Sequence, residues 1–252
     1  MKSFFTILIT TATVLTTQAQ QTYITKGKIE FEKVINVYKV VEENFSGSDN
    51  NIWADAFKKN MPKTGSSYFD LYFNEEKSLY KPGKEVTVSQ RPPDWVNGQA
   101  NDNVVFNDLS KQTSITQKNV YENTYLIQDS LKSATWKVSN DTRTIAGLEC
   151  RKATTTIMDS VFVVAFFSEQ ILCSAGPEGF NGLPGMILGI AIPRLHTTWY
   201  ATKLELVEVK ETDLAAPKKG KNINNTQLQK QLQSLMKNWG RNANRNIWQI
   251  MI

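Results

Sequence analysis

The chain of 252 residues carries 29 Lys and Arg, 24 Asp and Glu, two Cys and a single His. One histidine excludes a His-Glu-x-x-His zinc helix and leaves any His-based triad with His196 alone. The net charge of +5 is unevenly placed: residues 214–252 hold seven basic side chains and no acidic one, while residues 20–213 hold 21 basic and 24 acidic, so the body is mildly acidic and the basicity belongs to the tail.

Residues 1–19 read as a secretory signal. Lys2 precedes the apolar run Phe4 to Leu15, and Thr17-Gln18-Ala19 places small side chains where a signal peptidase reads, so cleavage is expected after Ala19. The run is shorter than the roughly 20 residues that span a bilayer, and no later stretch is longer or free of charge. The mature protein is expected in the periplasm or secreted, without a transmembrane segment. In such an oxidising compartment the even cysteine count favours a disulfide between Cys150 and Cys173.

Period-two alternation of apolar and polar side chains dominates residues 20–213 and predicts one mostly-β domain. A first strand starts at Gly27 and continues toward Val41. Residues 51–61 suggest a short helix with Ile52, Trp53, Ala56 and Phe57 on its apolar side. Strands at 68–73 and 77–80, joined by Asn74-Glu75-Glu76, form a hairpin. The loop 90–103 contains Arg91-Pro92-Pro93-Asp94-Trp95, because consecutive prolines cannot feed a ladder. Trp95 is a contact candidate, or a loop aromatic folded over the core edge. Further strands are expected at 103–109, 114–121, 123–129, 135–139, 147–158 and 160–167, with Asn140-Asp141 and Met158-Asp159 as turns. In the tail, Leu228, Leu232, Leu235, Met236 and Trp239 fall at helical spacing, predicting an amphipathic helix over 226–239 capped by Gly240. Such a helix is expected to pack its apolar stripe on the preceding domain; a membrane-surface or nucleic-acid helix is the alternative that Lys230, Lys237, Arg241 and Arg245 offer, and they are sparse for it.

No catalytic constellation emerges. Gly-x-Ser-x-Gly and phosphate-loop motifs are absent from the sequence, and Ser78-Leu79-Tyr80-Lys81 and Ser234-Leu235-Met236-Lys237 match Ser-x-x-Lys without its companion motifs. His196 is expected in a turn between strands. Asp70, Glu75 and Glu76 are the carboxylates that a glycosidase or a Ca²⁺ site would draw on, although two of them sit at a hairpin tip.

The segment from Cys173 to Ile192 breaks the alternation. Gly176, Gly179, Gly182 and Gly185 recur at every third residue, and Leu183-Pro184-Gly185-Met186 predicts a type II turn launching an apolar strand over 186–192. A tight loop across the sheet wall is the expectation, with gating of a cavity as its functional counterpart.

Gly176-Pro177 followed by Phe180-Asn181-Gly182-Leu183-Pro184-Gly185-Met186-Ile187-Leu188 closely resembles the signature of the GLPGLI family, envelope proteins of Gram-negative bacteria with no established activity. Gly27 to Phe31, Phe69 to Tyr80, Trp136-Lys137-Val138 and Ile145 to Ala153 fall in the family's order, so the resemblance covers roughly residues 27–210. Met186 stands where the family usually has Leu, and Val164-Ala165-Phe166-Phe167 where it commonly has Ala-Trp-Phe. The resemblance implies location and architecture, not a mechanism.

The expectation is therefore a single curved antiparallel sheet or half-barrel with a C-terminal helix over part of its concave face, similar to periplasmic lipoprotein carriers at fold level. Phe69, Leu71, Phe73, Phe162, Val164 and Phe166 are expected to line a cavity for an apolar small molecule or a segment of an outer-membrane protein, with no cofactor, metal or catalytic residue. The competing readings are a hydrolase working through Asp70, Glu75, Glu76 and His196, and an accessory of an outer-membrane transporter docking through an edge strand or the Trp95 loop.

Overall fold

The structure is a computed structural model and describes residues 23–45, 51–85, 92–98, 101–131, 134–240 and 242–252. The expected leader and its cleavage point lie outside these residues. Among them, no helix is long and apolar enough to cross a membrane.

Among the described residues, twelve strands form one open, curved sheet. In chain order they are β1 (Gly27–Asn36), β2 (Thr64–Phe73), β3 (Lys77–Pro82), β4 (Val104–Asp108), β5 (Thr113–Val120), β6 (Asn123–Ser130), β7 (Lys137–Ile145), β8 (Leu148–Ile157), β9 (Val161–Ser168), β10 (Met186–Ile192), β11 (Thr197–Glu205) and β12 (Lys221–Ile223). Their spatial order is β12-β6-β5-β4-β3-β2-β1-β11-β10-β9-β8-β7. Two antiparallel meanders, β2 to β6 and β7 to β11, are thus joined through β1, which pairs with β2 on one side and β11 on the other. Only the short β12 runs parallel to its neighbour, β6.

Alternation along β1 buries Ile29, Phe31 and Ile35, and the same face of β2 buries Phe69, Leu71 and Phe73. These aromatic and β-branched side chains form the central core with Tyr80, Val105, Met186 and Leu188. Cys150 and Cys173 share that cluster as free thiols. The expected bridge between them is not formed: the Cys150 Sγ points to the Leu148 carbonyl, 3.5 Å away, and the Cys173 Sγ to the Lys77 carbonyl at 4.0 Å.

Four local expectations need correction. β1 ends at Asn36, and Val37–Phe45 is a helix, α1. Asn36 Oδ1 accepts the Lys39 N–H at 3.0 Å, an N-cap. Val37, Val40 and Val41 are all buried at helical spacing, in a β-branched run that imitates a strand. Asn140-Asp141 lies within β7, where a register shift between Val138 and Thr142 absorbs it. On β9 the phase is inverted: Val161, Val163, Ala165 and Phe167 are buried, whereas Phe162 faces out and Val164 and Phe166 are half-buried. Finally, the tail holds two helices.

The predicted helix at 51–61 is α2 (Asn51–Asn60), and the proline loop contains the one-turn α3 (Asp94–Asn97). Trp95 packs on Phe45 and Phe57, with ring centroids 6.2 and 5.1 Å apart, as a loop aromatic over the core edge. α4 (Asn225–Leu235) opens with a reciprocal cap: Asn224 Oδ1 accepts from Gln227 N–H at 2.8 Å, and Gln227 Oε1 from Asn224 N–H at 3.1 Å. α4 ends at Leu235 with Met236 as its C-cap, short of the expected end at Gly240, which lies at φ +60° in the turn that leads to α5 (Asn242–Met251). Leu228, Leu232 and Met236 pack with Ile247 and Ile250 of α5 and with Val120 and Ile127 of the sheet, which lays both helices on one sheet face.

Candidate functional site

A polar cluster is set into the largely apolar interior, and strand register assembles most of it. Lys33 follows Ile29 and Phe31 on the inward phase of β1 and stands directly opposite Trp199 of β11, with its Nζ 5.1 Å from the indole centroid. Tyr80 of β3 is fully buried and stacked on Phe69 at 4.8 Å. Lys118 of β5 lies on the phase of Ser114, Thr116 and Val120, and only 4% of it is exposed.

The carboxylate of this cluster comes from the signature loop. Glu178 adopts φ +53°, ψ +20°, and Gly179 follows at φ +81°. Two successive left-handed residues after Pro177 swing the Glu178 side chain inward, at a conformational cost of roughly 1–2 kcal/mol for the non-glycine one. That cost is offset by a convergent set of donors. Asn103 Nδ2 donates to Oε2 at 2.8 Å, Trp199 Nε1 to Oε1 at 3.3 Å and Tyr80 Oη to Oε1 at 3.5 Å, while Lys33 Nζ pairs with Oε1 at 3.5 Å. Burial, reinforced by the Glu178 charge, raises the Tyr80 hydroxyl well above its ordinary pKa and keeps it a neutral donor. Asn103 Oδ1 remains buried without a hydrogen-bond partner.

Lys118 differs from Lys33 in having no ion pair among the described residues. Its Nζ donates to the Ile250 carbonyl of α5 at 2.8 Å, and burial lowers its pKa to about 8, with the nearby Glu178 charge opposing the shift and Lys33 adding to it.

Lys118 and Glu178 both line a cavity of about 370 Å³ between the sheet, the signature loop and helices α4 and α5. Its wall is mixed: Val105, Ile127, Met158, Phe180 and Met251 are apolar, while Ser114, Thr116, Asn181, Asn225 and Gln229 are polar. That volume lies at the lower end of small-molecule pockets. A void of about 20 Å³ beside Lys33, Asn103 and Trp199 shares Glu178 and Ile252 with it.

The loop that presents Glu178 is held from several sides. Ser174 Oγ donates to the Leu183 carbonyl at 2.7 Å and accepts from the Gly182 N–H at 3.2 Å, and Trp136 Nε1 donates to the Asn181 carbonyl at 2.8 Å. The Gly185 N–H bonds back to the Leu183 carbonyl at 2.8 Å, so the Leu-Pro-Gly corner closes as a three-residue γ-turn and not as the expected type II turn. Gly185 has φ +132°, and a Cβ there would meet the Ser168 carbonyl oxygen at 2.1 Å.

None of the six side chains expected to line a cavity lines either of the two cavities described above. Phe69, Leu71 and Phe73 are packed in the core, and Phe162, Val164 and Phe166 belong to the outer phase of β9. The hydrolase set is also dispersed. Asp70 pairs with Lys28 at 3.1 Å, Glu75 and Glu76 are exposed at the hairpin tip, and His196, in a left-handed turn residue as expected, contacts Glu43 at 3.1 Å. No group of three or more His, Cys, Asp or Glu able to hold a metal occurs among the described residues.

Sequence reasoning passed over Lys33, Lys118, Asn103 and Glu178. A signal existed for Lys33, a charge in the inward phase between Phe31 and Ile35. None existed for Glu178, whose burial depends on loop geometry.

Residues 156–189, from the end of β8 through the loop into β10, match the model of the Porph_ging family, described as a protein of unknown function. No curated protein matches the chain. Among solved structures, PNGF-II in its P21 crystal form superposes with a TM-score of 0.51 at 11% identity over 79% of this chain, and its C2 form with 0.50 at 11% over 89%. The chain spans 32% and 33% of those two chains, about a third of their length. At such identity the likeness is one of fold.

Proposed function

We propose that the protein is an exported, GLPGLI-like envelope protein that binds a small molecule in the cavity beneath α4 and α5. The observation that carries this reading is the cavity of about 370 Å³, walled by the signature loop on one side and the tail helices on the other. Placement in the periplasm or outside the cell rests on the amino-terminal segment, and the family assignment on the loop motif, which falls within the matched residues 156–189. A binding role is favoured over hydrolysis because Asp70, Glu75, Glu76 and His196 do not converge, while the carboxylate that lines the cavity, Glu178, is engaged by neighbouring donors.

Titration with N-phenyl-1-naphthylamine, a neutral apolar fluorophore, tests the reading. Fluorescence should rise on binding to the wild type, and Thr116→Phe, which fills the cavity from β5, should abolish the rise while circular dichroism stays unchanged. Absence of a rise in the wild type, or equal binding by the folded filled variant, overturns it.

A further inference from the structure

The proposed binding function leaves open what chemistry the cavity selects, and its charges answer that. Lys118 and Glu178 line it, Lys33 stands beside Glu178 outside its wall, and the two lysines are not equivalent. Lys33 is 3.5 Å from Glu178 and lies over two aromatic rings, Trp199 at 5.1 Å and Phe69 at 6.0 Å, so its charge is compensated on every side. Lys118 is set against a single backbone carbonyl at 2.8 Å. An ammonium carries three donors, so two remain for whatever occupies the cavity that Lys118 lines. A buried cation with no carboxylate in ion-pair contact, Glu178 acting on it only from a distance, is unfavourable; a ligand anion at this position reduces that penalty as it binds.

Resting on that reading, we infer that the ligand is an amphiphile with one singly charged carboxylate, its head group on Lys118 Nζ and its apolar body along Ile127, Met158, Phe180 and Met251. Three features select this class. The Thr116 hydroxyl lies on the same strand face as Lys118, one alternation away, and supplies a neutral donor for a carboxylate oxygen. Glu178 lines the same cavity, so a doubly charged head group such as a phosphate monoester meets a fixed negative charge. The volume of about 370 Å³ suits a short chain and not a diacyl lipid.

The test compares octanoate, 1-octanol and octyl phosphate by displacement of N-phenyl-1-naphthylamine from the full chain at pH 7. Octanoate should bind at least tenfold more tightly than 1-octanol and more tightly than octyl phosphate. Lys118→Met should remove the preference for octanoate while leaving 1-octanol within about twofold, with fluorophore binding retained as the check that the cavity persists. Equal affinity for octanoate and 1-octanol in the wild type overturns the inference, as does a Lys118→Met variant that still prefers octanoate, or preference for the phosphate. Fluorophore binding without head-group selectivity sinks the head-group assignment alone; failure of the wild type to bind the fluorophore sinks the binding function itself.

Discussion

Replacing Lys118 by Met should make the folded protein more stable near neutral pH, because the wild-type ammonium is buried with little to neutralise it. Its pKa falls from 10.5 to about 8 on folding, chiefly through desolvation. At ~1.4 kcal/mol per pKa unit, the charged side chain penalises the folded state by roughly 3 kcal/mol. The substitution keeps an unbranched chain of similar length and loses the bond to the Ile250 carbonyl, a loss of about 1 kcal/mol. A net gain of about 2 kcal/mol is expected at pH 6–7. The sign follows from proton linkage: between pH 8 and 10.5 the unfolded chain holds the Lys118 proton and the folded chain does not, so wild-type stability rises across that window. The variant lacks this contribution, so its advantage should be full below pH 8, shrink through the window and turn into a small deficit above pH 10.5. Urea unfolding of both proteins in steps from pH 6 to 11 measures the difference, in which all other titrations cancel. A variant less stable than wild type at pH 6, or a difference constant with pH, refutes the argument.

Gly185→Ala should destabilise by more than about 3 kcal/mol, since its φ is +132° and the new Cβ would meet the Ser168 carbonyl oxygen; thermal unfolding should show a drop of over 10 °C or no folded protein, and wild-type stability would reject the loop geometry. On β9, Phe167→Ala should cost about 3–5 kcal/mol and Phe162→Ala less than about 0.5 kcal/mol in chemical denaturation, because the first side chain is fully buried and the second is 48% exposed; the reverse order would mean that the inward phase is misassigned. Burial pushes the thiols of Cys150 and Cys173 up to about 11 and about 12, so neither should react with a thiol reagent in the folded protein at pH 7, and both should react once it is unfolded; an unfolded, unreduced protein without free thiols would restore the disulfide.

The period of two was legible where a strand packs one face on the core and turns the other outward, so β1 and β2 can be located from their alternation alone. The phase was legible only where the two faces differ. β9 reads Val-Phe-Val-Val-Ala-Phe-Phe, apolar on both faces, and its inward side is chosen by the partners β8 and β10. Val37 to Val41 shows the same limit for type: a β-branched run is compatible with a strand, and the Asn36 cap and contacts with α2 and α3 make it a helix. α5 was hidden because its stripe of Ile247, Ile250 and Met251 is short, and it gains stability from packing on α4 and the sheet.

By itself the sequence determined a mostly-β chain, the corner at Gly185 and a charge, Lys33, in the inward phase between Phe31 and Ile35; that Lys118 also faces inward emerged only with the fold. Which of those lysines acquires a counter-ion was decided by the tertiary structure, since Glu178 reaches Lys33 from 145 residues along the chain through two left-handed residues. Local propensity acts over a few residues, whereas the compensation of a buried charge depends on groups that only the finished fold brings within a few ångströms.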